Sequence, residues 1–136
     1  MSLGGKINII KMKYNYNIKI VRVIDGDTVD VMIDLGFNIW IKNRIRLFGI
    51  DTPEIRTKDL EEKERGKGAK ARLEELLSNE WDHDRVLTLT SHGVDKYGRC
   101  LGTLYGADNH NLNRKSDLNL NELLISEGFA TRYNKS

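Results

Sequence analysis

Residues 28 to 48 alternate apolar and polar side chains with period two, and no other feature of the chain limits its fold so strongly. Successive side chains of a strand face opposite sides, so Val29, Val31 and Ile33 share one face while Asp30, Met32 and Asp34 share the other. "LGF" at 35 to 37 supplies a turn, and the alternation resumes over 38 to 48 with Ile39, Ile41, Ile45 and Leu47 on the apolar face. Lys42, Arg44 and Arg46 take the opposite face, which directs Arg46 away from the apolar side. Considered alone, Arg44 and Arg46 are a solvated strand face.

The rest of the chain can be assigned around this pair of strands. An apolar run, "IKIVRVI", precedes "DGDT" at 25 to 28 and makes a first strand. The charged stretch "IRTKDLEEKERGKG" leads into a helix whose apolar stripe is Ala69, Leu73, Leu76 and Leu77, with Lys67, Lys70, Arg72, Glu74 and Glu75 on its solvated side. "DRVLTLTS" and "RCLGTLY" form two more strands about the turn "HGVDKYG". A polar loop over 106 to 118 comes next, then a short helix in "NLNELLISEG", capped by Asn119 with Glu122 three residues on and stopped by Gly128. Three strands, a helix, two strands and a helix make a mainly β protein with helices, of the α+β class. The expected architecture is a five-stranded OB-type Greek-key barrel with two to three helices. Residues 1 to 15 are expected as a tail, in which "MSL" is readable as an expression scar, and 16 to 136 as one domain.

Length and composition agree: 136 residues with 39% hydrophobic and 31% charged side chains can bury a stable core as a single domain. A formal net charge of +2 gives no broad basic field, so a nucleic-acid partner would have to be gripped locally. Cys100, the only cysteine, excludes an internal disulfide and a multi-cysteine zinc site and is expected as a small buried residue. His83, His92 and His110 share no ligand spacing and are expected at the surface. Nothing in the chain as given has the length of a secretory apolar region or a membrane span, so a soluble protein is expected, with the compartment left open.

Two carboxylates inside "DGDT" are more than a turn requires, since Gly and one Asp already satisfy its geometry. Further on, "RLFGIDTPE" at 46 to 54 holds Arg46, Asp51 and Glu54 around the only proline, which fixes its own φ and restrains Thr52. "DKYGR" at 95 to 99 adds Arg99 at the start of a strand. In this order the three motifs resemble the staphylococcal nuclease family, also called thermonucleases, and the likeness runs from about Tyr16 to Ala130.

That resemblance implies a role for each matching position. Asp27 and Asp51 would bind one Ca²⁺ together with the carbonyl oxygen of Thr52, and Asp25 would stand one layer behind them. Glu54 would serve the attacking water, while Arg46 and Arg99 would hold the scissile phosphate. Lys96 and Tyr97 match positions near the bound nucleotide. The implied activity is Ca²⁺-dependent hydrolysis of DNA, RNA or both, cutting the 5′ P–O bond to leave 3′-phosphates. No protein partner or membrane is implied, and a monomer is expected.

Elementary chemistry is consistent with those roles. Ca²⁺ seeks six to eight oxygens, so two carboxylates and a carbonyl leave room for water and a phosphate oxygen. Attack on a phosphodiester anion is opposed by its charge, which a dication and two guanidiniums would offset. Arginine pairs bidentately with phosphate and stays protonated. Glu54 could take a proton or only orient the water. The rival class is a nuclease-like OB module that binds nucleic acid without cutting it, although such modules lose the metal and arginine residues that are retained here. Three departures from the family pattern stand out: longer segments at "DLGFN" and "GADNHNLNRKSD", and Tyr133 as the sole tyrosine after the last helix.

Overall fold

Alternation in the first half of the chain is realised as a closed barrel. The structure, a computed structural model, describes residues 14–78, 87–107 and 116–133. Strand β1 (Tyr14–Asp25) pairs antiparallel with β2 (Thr28–Asp34) on one side and β5 (Leu87–Val94) on the other. In turn β2 pairs with β3 (Trp40–Leu47) and β5 with β6 (Cys100–Ala107). A parallel pairing of β3 with β6, Ile45 opposite Cys100 and Leu47 opposite Gly102, closes the ring of five strands. This is the expected OB-type α+β barrel, and closure leaves no long edge within the ring.

Two features lie outside the five-strand expectation. β7 (Ser116–Asn119) adds to β6 within the segment expected as loop, and β4 (Ile50–Asp51) pairs with β8 (Thr131–Arg132) in a separate two-stranded sheet. Ser116–Asn119 gains its partner only from the distant β6, so no local alternation marks it. The two helices are α1 (Leu60–Leu77), between β4 and β5, and α2 (Leu120–Ser126). His83 and His110 lie outside the described residues, as does most of the expected 106–118 loop.

Val29, Val31, Ile33, Ile45 and Leu47 fill the barrel together with Leu89 and Leu104, as their alternation requires. Ile39 and Ile41 share that face but are 54% and 41% exposed, a correction to the expectation that the apolar face is buried throughout. They lie where the β2–β3 hairpin runs past the end of the core, towards a tip in which Gly36, Phe37 and Asn38 all have positive φ. The stripe Ala69, Leu73, Leu76 and Leu77 is buried as expected, and α1 begins at Asp59, whose carboxylate accepts the N–H groups of Glu61 and Glu62. Asn119 caps α2 by accepting from the Glu122 N–H at 3.0 Å, but the Glu122 carboxylate turns away to Arg132 instead of closing a reciprocal box. Gly128, at φ 84°, ends that helix.

Asn121 is a polar residue buried within the core. Its amide donates to the Phe48 and Gly102 carbonyls, and its oxygen accepts from the Leu104 N–H. It thereby joins α2 to β6 and to the turn after β3, where unpaired backbone groups would be costly. No helix among the described residues is long and apolar enough to cross a membrane.

Helix α1 meets the Pro53–Glu54 segment through a residue too small to keep it at a distance. A methyl group at Gly66 would lie 2.7 Å from the Pro53 carbonyl oxygen and 2.9 Å from that of Glu54. Two residues on, the same addition at Gly68 would meet nothing closer than 4.0 Å, an edge atom of Phe129. Opposite signs are therefore expected for two chemically identical changes. Gly68→Ala should stabilise by up to about 1 kcal/mol, the usual helix preference for alanine. Gly66→Ala should lose that gain and more, about 1–3 kcal/mol net, because backbone must move. Midpoints of denaturant unfolding on the two variants check both signs.

Candidate active site

The "DGDT" motif forms the tight connection between β1 and β2, and irregular pairing decides where its side chains point. In β1 the register shifts once between Ile20 and Arg22 and again between Val23 and Asp25. Each shift inserts an unpaired residue and reverses which residues face outwards. Asp25 consequently lies opposite Thr28, which itself lies opposite Arg46 of β3.

Asp27 is buried, 8% exposed, and its carboxylate is held by hydrogen bonds. One carboxylate oxygen accepts the Thr28 hydroxyl at 3.0 Å, and the other accepts the Thr52 N–H at 3.1 Å. Its backbone carbonyl accepts the Leu47 N–H at 2.8 Å. The turn is thus tied to the segment that carries Asp51, Thr52 and Glu54. Thr28 adds a hydroxyl bond to its place as first residue of β2.

Arg46 stands between the two aspartates. Its Nη1 donates to the Leu47 and Ile50 carbonyls at 3.0 and 2.9 Å, and its Nη2 lies 3.2 Å from Asp51 and 3.4 Å from Asp27. The side chain is only 13% exposed. It does leave the apolar face, as the alternation requires, but it enters a polar site instead of solvent. Burial, then the charge of Asp27, raise the proton affinity of Asp51 above that of an ordinary aspartate despite Arg46, and a carboxyl–carboxyl hydrogen bond to Asp27 adds to the effect. One guanidinium does not cancel the repulsion between these two carboxylates.

Pro53 and Glu54 are held from below by α1. The Glu54 N–H donates to the Glu62 carboxylate at 3.2 Å, and the close approach of Gly66 fixes the carbonyls on either side. The Glu54 carboxylate is exposed. The Asp25 carboxylate pairs with the Arg56 guanidinium at 3.8 Å.

Arg99 enters from the β5–β6 turn. The β3–β6 register, Arg46 opposite Leu101, sets it at the start of β6 beside β3. Its orientation comes from Asp95, which accepts from Arg99 Nε at 2.8 Å and from the Arg99 and Tyr97 N–H groups at 2.9 Å each. Lys96 and Tyr97 share this turn: the Tyr97 ring is 72% exposed, with the Lys96 ammonium 5.3 Å and the Arg99 guanidinium 5.4 Å from its centre. The structure thus brings Asp27, Asp51, Thr52 and Arg46 into contact, and it holds Arg99, Lys96 and Tyr97 as a second group on one turn.

Several neighbours were not foreseen from sequence. Asp95 orients Arg99, and the only hint was its place as the first residue of a glycine turn. The Tyr133 ring lies 6.0 Å from the Arg46 guanidinium, brought there by the Tyr133 N–H to Gly49 carbonyl bond at 2.8 Å. His92 is half-buried, 2.8 Å from the Thr103 hydroxyl and stacked on Phe48 at 4.2 Å. Cys100 is half-buried, and burial pushes its thiol up. Arg44 is not simply solvated: it pairs with Asp30, another contact that single-strand alternation does not show.

The donors around Asp27 and Asp51 are all oxygens, as a hard divalent cation prefers. Among the described residues no three His, Cys, Asp or Glu side chains form a metal-ligating group. A cation here would therefore draw most of its oxygens from water and substrate. The raised proton affinity of Asp51, from burial and the charge of Asp27 and only partly offset by Arg46, fits such a cation.

Residues 44–136 match the family model described as staphylococcal nuclease homologue, a span that includes Arg46, Asp51, Glu54 and Arg99 and begins after Asp27. The chain is 30% identical over 115 residues to a micrococcal nuclease of Shigella flexneri, covering 85% of this chain and 57% of that protein. An uncharacterized endonuclease of Escherichia coli O157:H7 is 33% identical over 115 residues, covering 85% and 60%. An uncharacterized protein of Methanocaldococcus jannaschii is 33% identical over 140 residues, covering 88% and 60%. The chain thus spans under two thirds of the length of these relatives.

Because Asp51 binds its proton more tightly in the folded chain than an ordinary aspartate does, its ionisation costs the fold stability as pH rises through that raised value. Asp51→Asn should accordingly raise the melting temperature of the metal-free protein at pH 7. The difference should vanish below the ordinary value of 3.8, where both states are protonated. Thermal unfolding in chelator across that range checks the sign.

Proposed function

This chain belongs to the staphylococcal nuclease homologues, and from that premise we propose that it is a Ca²⁺-dependent nuclease that cuts DNA, RNA or both at the 5′ P–O bond and leaves 3′-phosphates. The observation that carries the proposal is the convergence of Asp27 and Asp51 on Arg46 beside the restrained Thr52–Glu54 segment.

Asp27, Asp51 and the Thr52 carbonyl would hold the Ca²⁺, with Asp25 behind them. When bound, the ion would supply Lewis-acid stabilisation of the phosphoryl oxygens and lower the proton affinity of a coordinated water. The remaining work falls to side chains. Arg46 is anchored by Nη1 to two backbone carbonyls, and its Nη2, paired with Asp51 and Asp27, would exchange a carboxylate for a phosphate oxygen without moving the strand. Arg99, preset by Asp95, would approach the same phosphate from the β5–β6 turn, and together the two would neutralise charge that develops in the transition state. Glu54, fixed through its backbone and exposed at its carboxylate, would orient the attacking water or accept its proton. Tyr97 offers a face for a base or sugar and Lys96 a charge for an adjoining phosphate.

The test is digestion of labelled single-stranded and duplex DNA and RNA in Ca²⁺ and in chelator, with the product ends identified. Cleavage should stop in chelator and products should carry 3′-phosphates. Undiminished digestion without the ion would sink the metal assignment. Glu54→Gln separates cutting from holding: kcat should fall roughly 10²- to 10⁴-fold, as for other positioned acids and bases. Affinity at fixed salt should stay level or rise, because a negative charge near an anion is removed. A chain that held nucleic acid but never cut it would be the binding module instead.

A further inference from the structure

Beside this site, on the same outer face of the barrel, lies a charged group that the reaction does not use. Asp30 of β2 is 4% exposed, although it faces away from the core. Its register partners are Arg22 on β1 and Arg44 on β3, so the three side chains form one row across three strands. Arg44 donates to it through Nε at 2.8 Å and Nη2 at 3.1 Å, and Arg22 Nε lies 3.5 Å away. The aspartate is covered, while the arginine side chains stay 66% and 46% exposed for Arg22 and Arg44.

This row depends on an irregularity. Ile20 is paired with Val31, so a regular β1 would set Val21 opposite Asp30 and turn Arg22 towards the core beside Val29. The register shift leaves Val21 unpaired and 44% exposed and brings Arg22 opposite Asp30 instead. Bulges of this kind re-aim side chains, often next to active sites.

We propose that Arg22 and Arg44, held in place by Asp30, form a second phosphate clamp that grips the substrate backbone one nucleotide from the phosphate held at Arg46. The proposal rests on the nuclease reading for its choice of substrate. Spacing supports it: Arg44 and Arg46 are two residues apart on one face of β3, about 6.6–6.8 Å at the usual strand rise, comparable to the separation of neighbouring phosphates along an extended strand. Donor supply supports it as well. Arg44 commits Nε and Nη2 to Asp30, which leaves Nη1 for an outside acceptor, and the single carboxylate leaves the row with a net charge of +1. The Arg44 bond holds Asp30 below the ordinary carboxyl range, so the row stays charged at neutral pH. Asp30 is a positioning residue here, and the arginines are the contacts. A net positive row that continues the site is the local grip that a chain of net charge +2 needs.

The test measures binding of a fluorescent 12-nucleotide single strand in chelator, where nothing is cut, as a function of salt. Each lost phosphate contact lowers the slope of log affinity against log salt by about 0.7 for single strands. The clamp takes one phosphate, so Arg22→Gln with Arg44→Gln should reduce the slope by about 0.7 and Arg44→Gln alone by part of that. Since these leave Asp30 covered and underpaired, the triple variant R22Q/D30N/R44Q removes all three charges together and should give the same reduction. A purely structural ion group would change melting temperature but not this slope. In Ca²⁺, cleavage by the variants should show the loss in KM more than in kcat, and the KM penalty should shrink as the substrate is shortened to a dinucleotide. An unchanged slope in the triple variant overturns the clamp whether or not the parent cuts. If the parent binds but does not cut, the nuclease reading fails while a reduced slope still supports the clamp.

Discussion

Between α1 and the segment carrying Pro53 and Glu54 there is space for hydrogen and nothing larger. Gly66 meets the carbonyls of that segment, while Gly26 rests on Ala69 and Thr52 so closely that a methyl there would lie 2.7 Å from the Ala69 Cβ. Two loops far apart in sequence are thereby pressed onto one helix. The Asp27 carboxylate completes the junction by accepting the Thr52 N–H. Without these contacts Asp51 and Glu54 would be carried on a loose connection, and Asp27 would remain a turn residue. Precise placement of charged groups in a polar site needs such rigid backing.

A second regularity runs across the outer face. Arg46 is braced by Asp27 and Asp51, Arg99 by Asp95, Arg44 and Arg22 by Asp30, and Arg56 approaches Asp25. Exposed ion pairs add little to stability, so their frequency on this face calls for another explanation. Each carboxylate restricts a long side chain before any anion arrives and so reduces the ordering cost of binding. It also explains how a chain of near-neutral composition can present concentrated positive groups: its acids are spent beneath the arginines. Asp51 is the exception, since burial and the neighbouring charge of Asp27 make it hold its proton more tightly than Arg46 can offset.

Much of this was legible in the chain itself. Period-two alternation over 28 to 48 determined two strands and the inward set Val29, Val31, Ile33, Ile45 and Leu47, because a strand has only two faces and one must leave water. The helical stripe through Ala69, Leu73, Leu76 and Leu77 followed from the same reasoning at period 3.6, and the Asn119 cap and Gly128 stop from local hydrogen bonding and φ. Three motifs carried the family resemblance that implied Asp27, Arg46, Asp51, Glu54 and Arg99 as site residues.

What remained hidden is what two distant segments decide together. Alternation predicts one phase along a strand, whereas the first register shift in β1 reverses that phase to aim Arg22 outwards and the second restores it at Asp25. Strand β7 exists only because β6 offers it partners, and Ile39 and Ile41 stay exposed because the core ends before the hairpin does. Asp95 beneath Arg99 and Asp30 beneath Arg44 are matters of rotamer and neighbour, not of composition. Alternation and helical period set which face of each element turns inwards, and the motifs set which chemical groups a site could contain. Tertiary structure alone decided which carboxylate faces which arginine, because those distances depend on strand pairing, bulges and the close approach of a helix, and such long-range contacts leave no local trace in the chain.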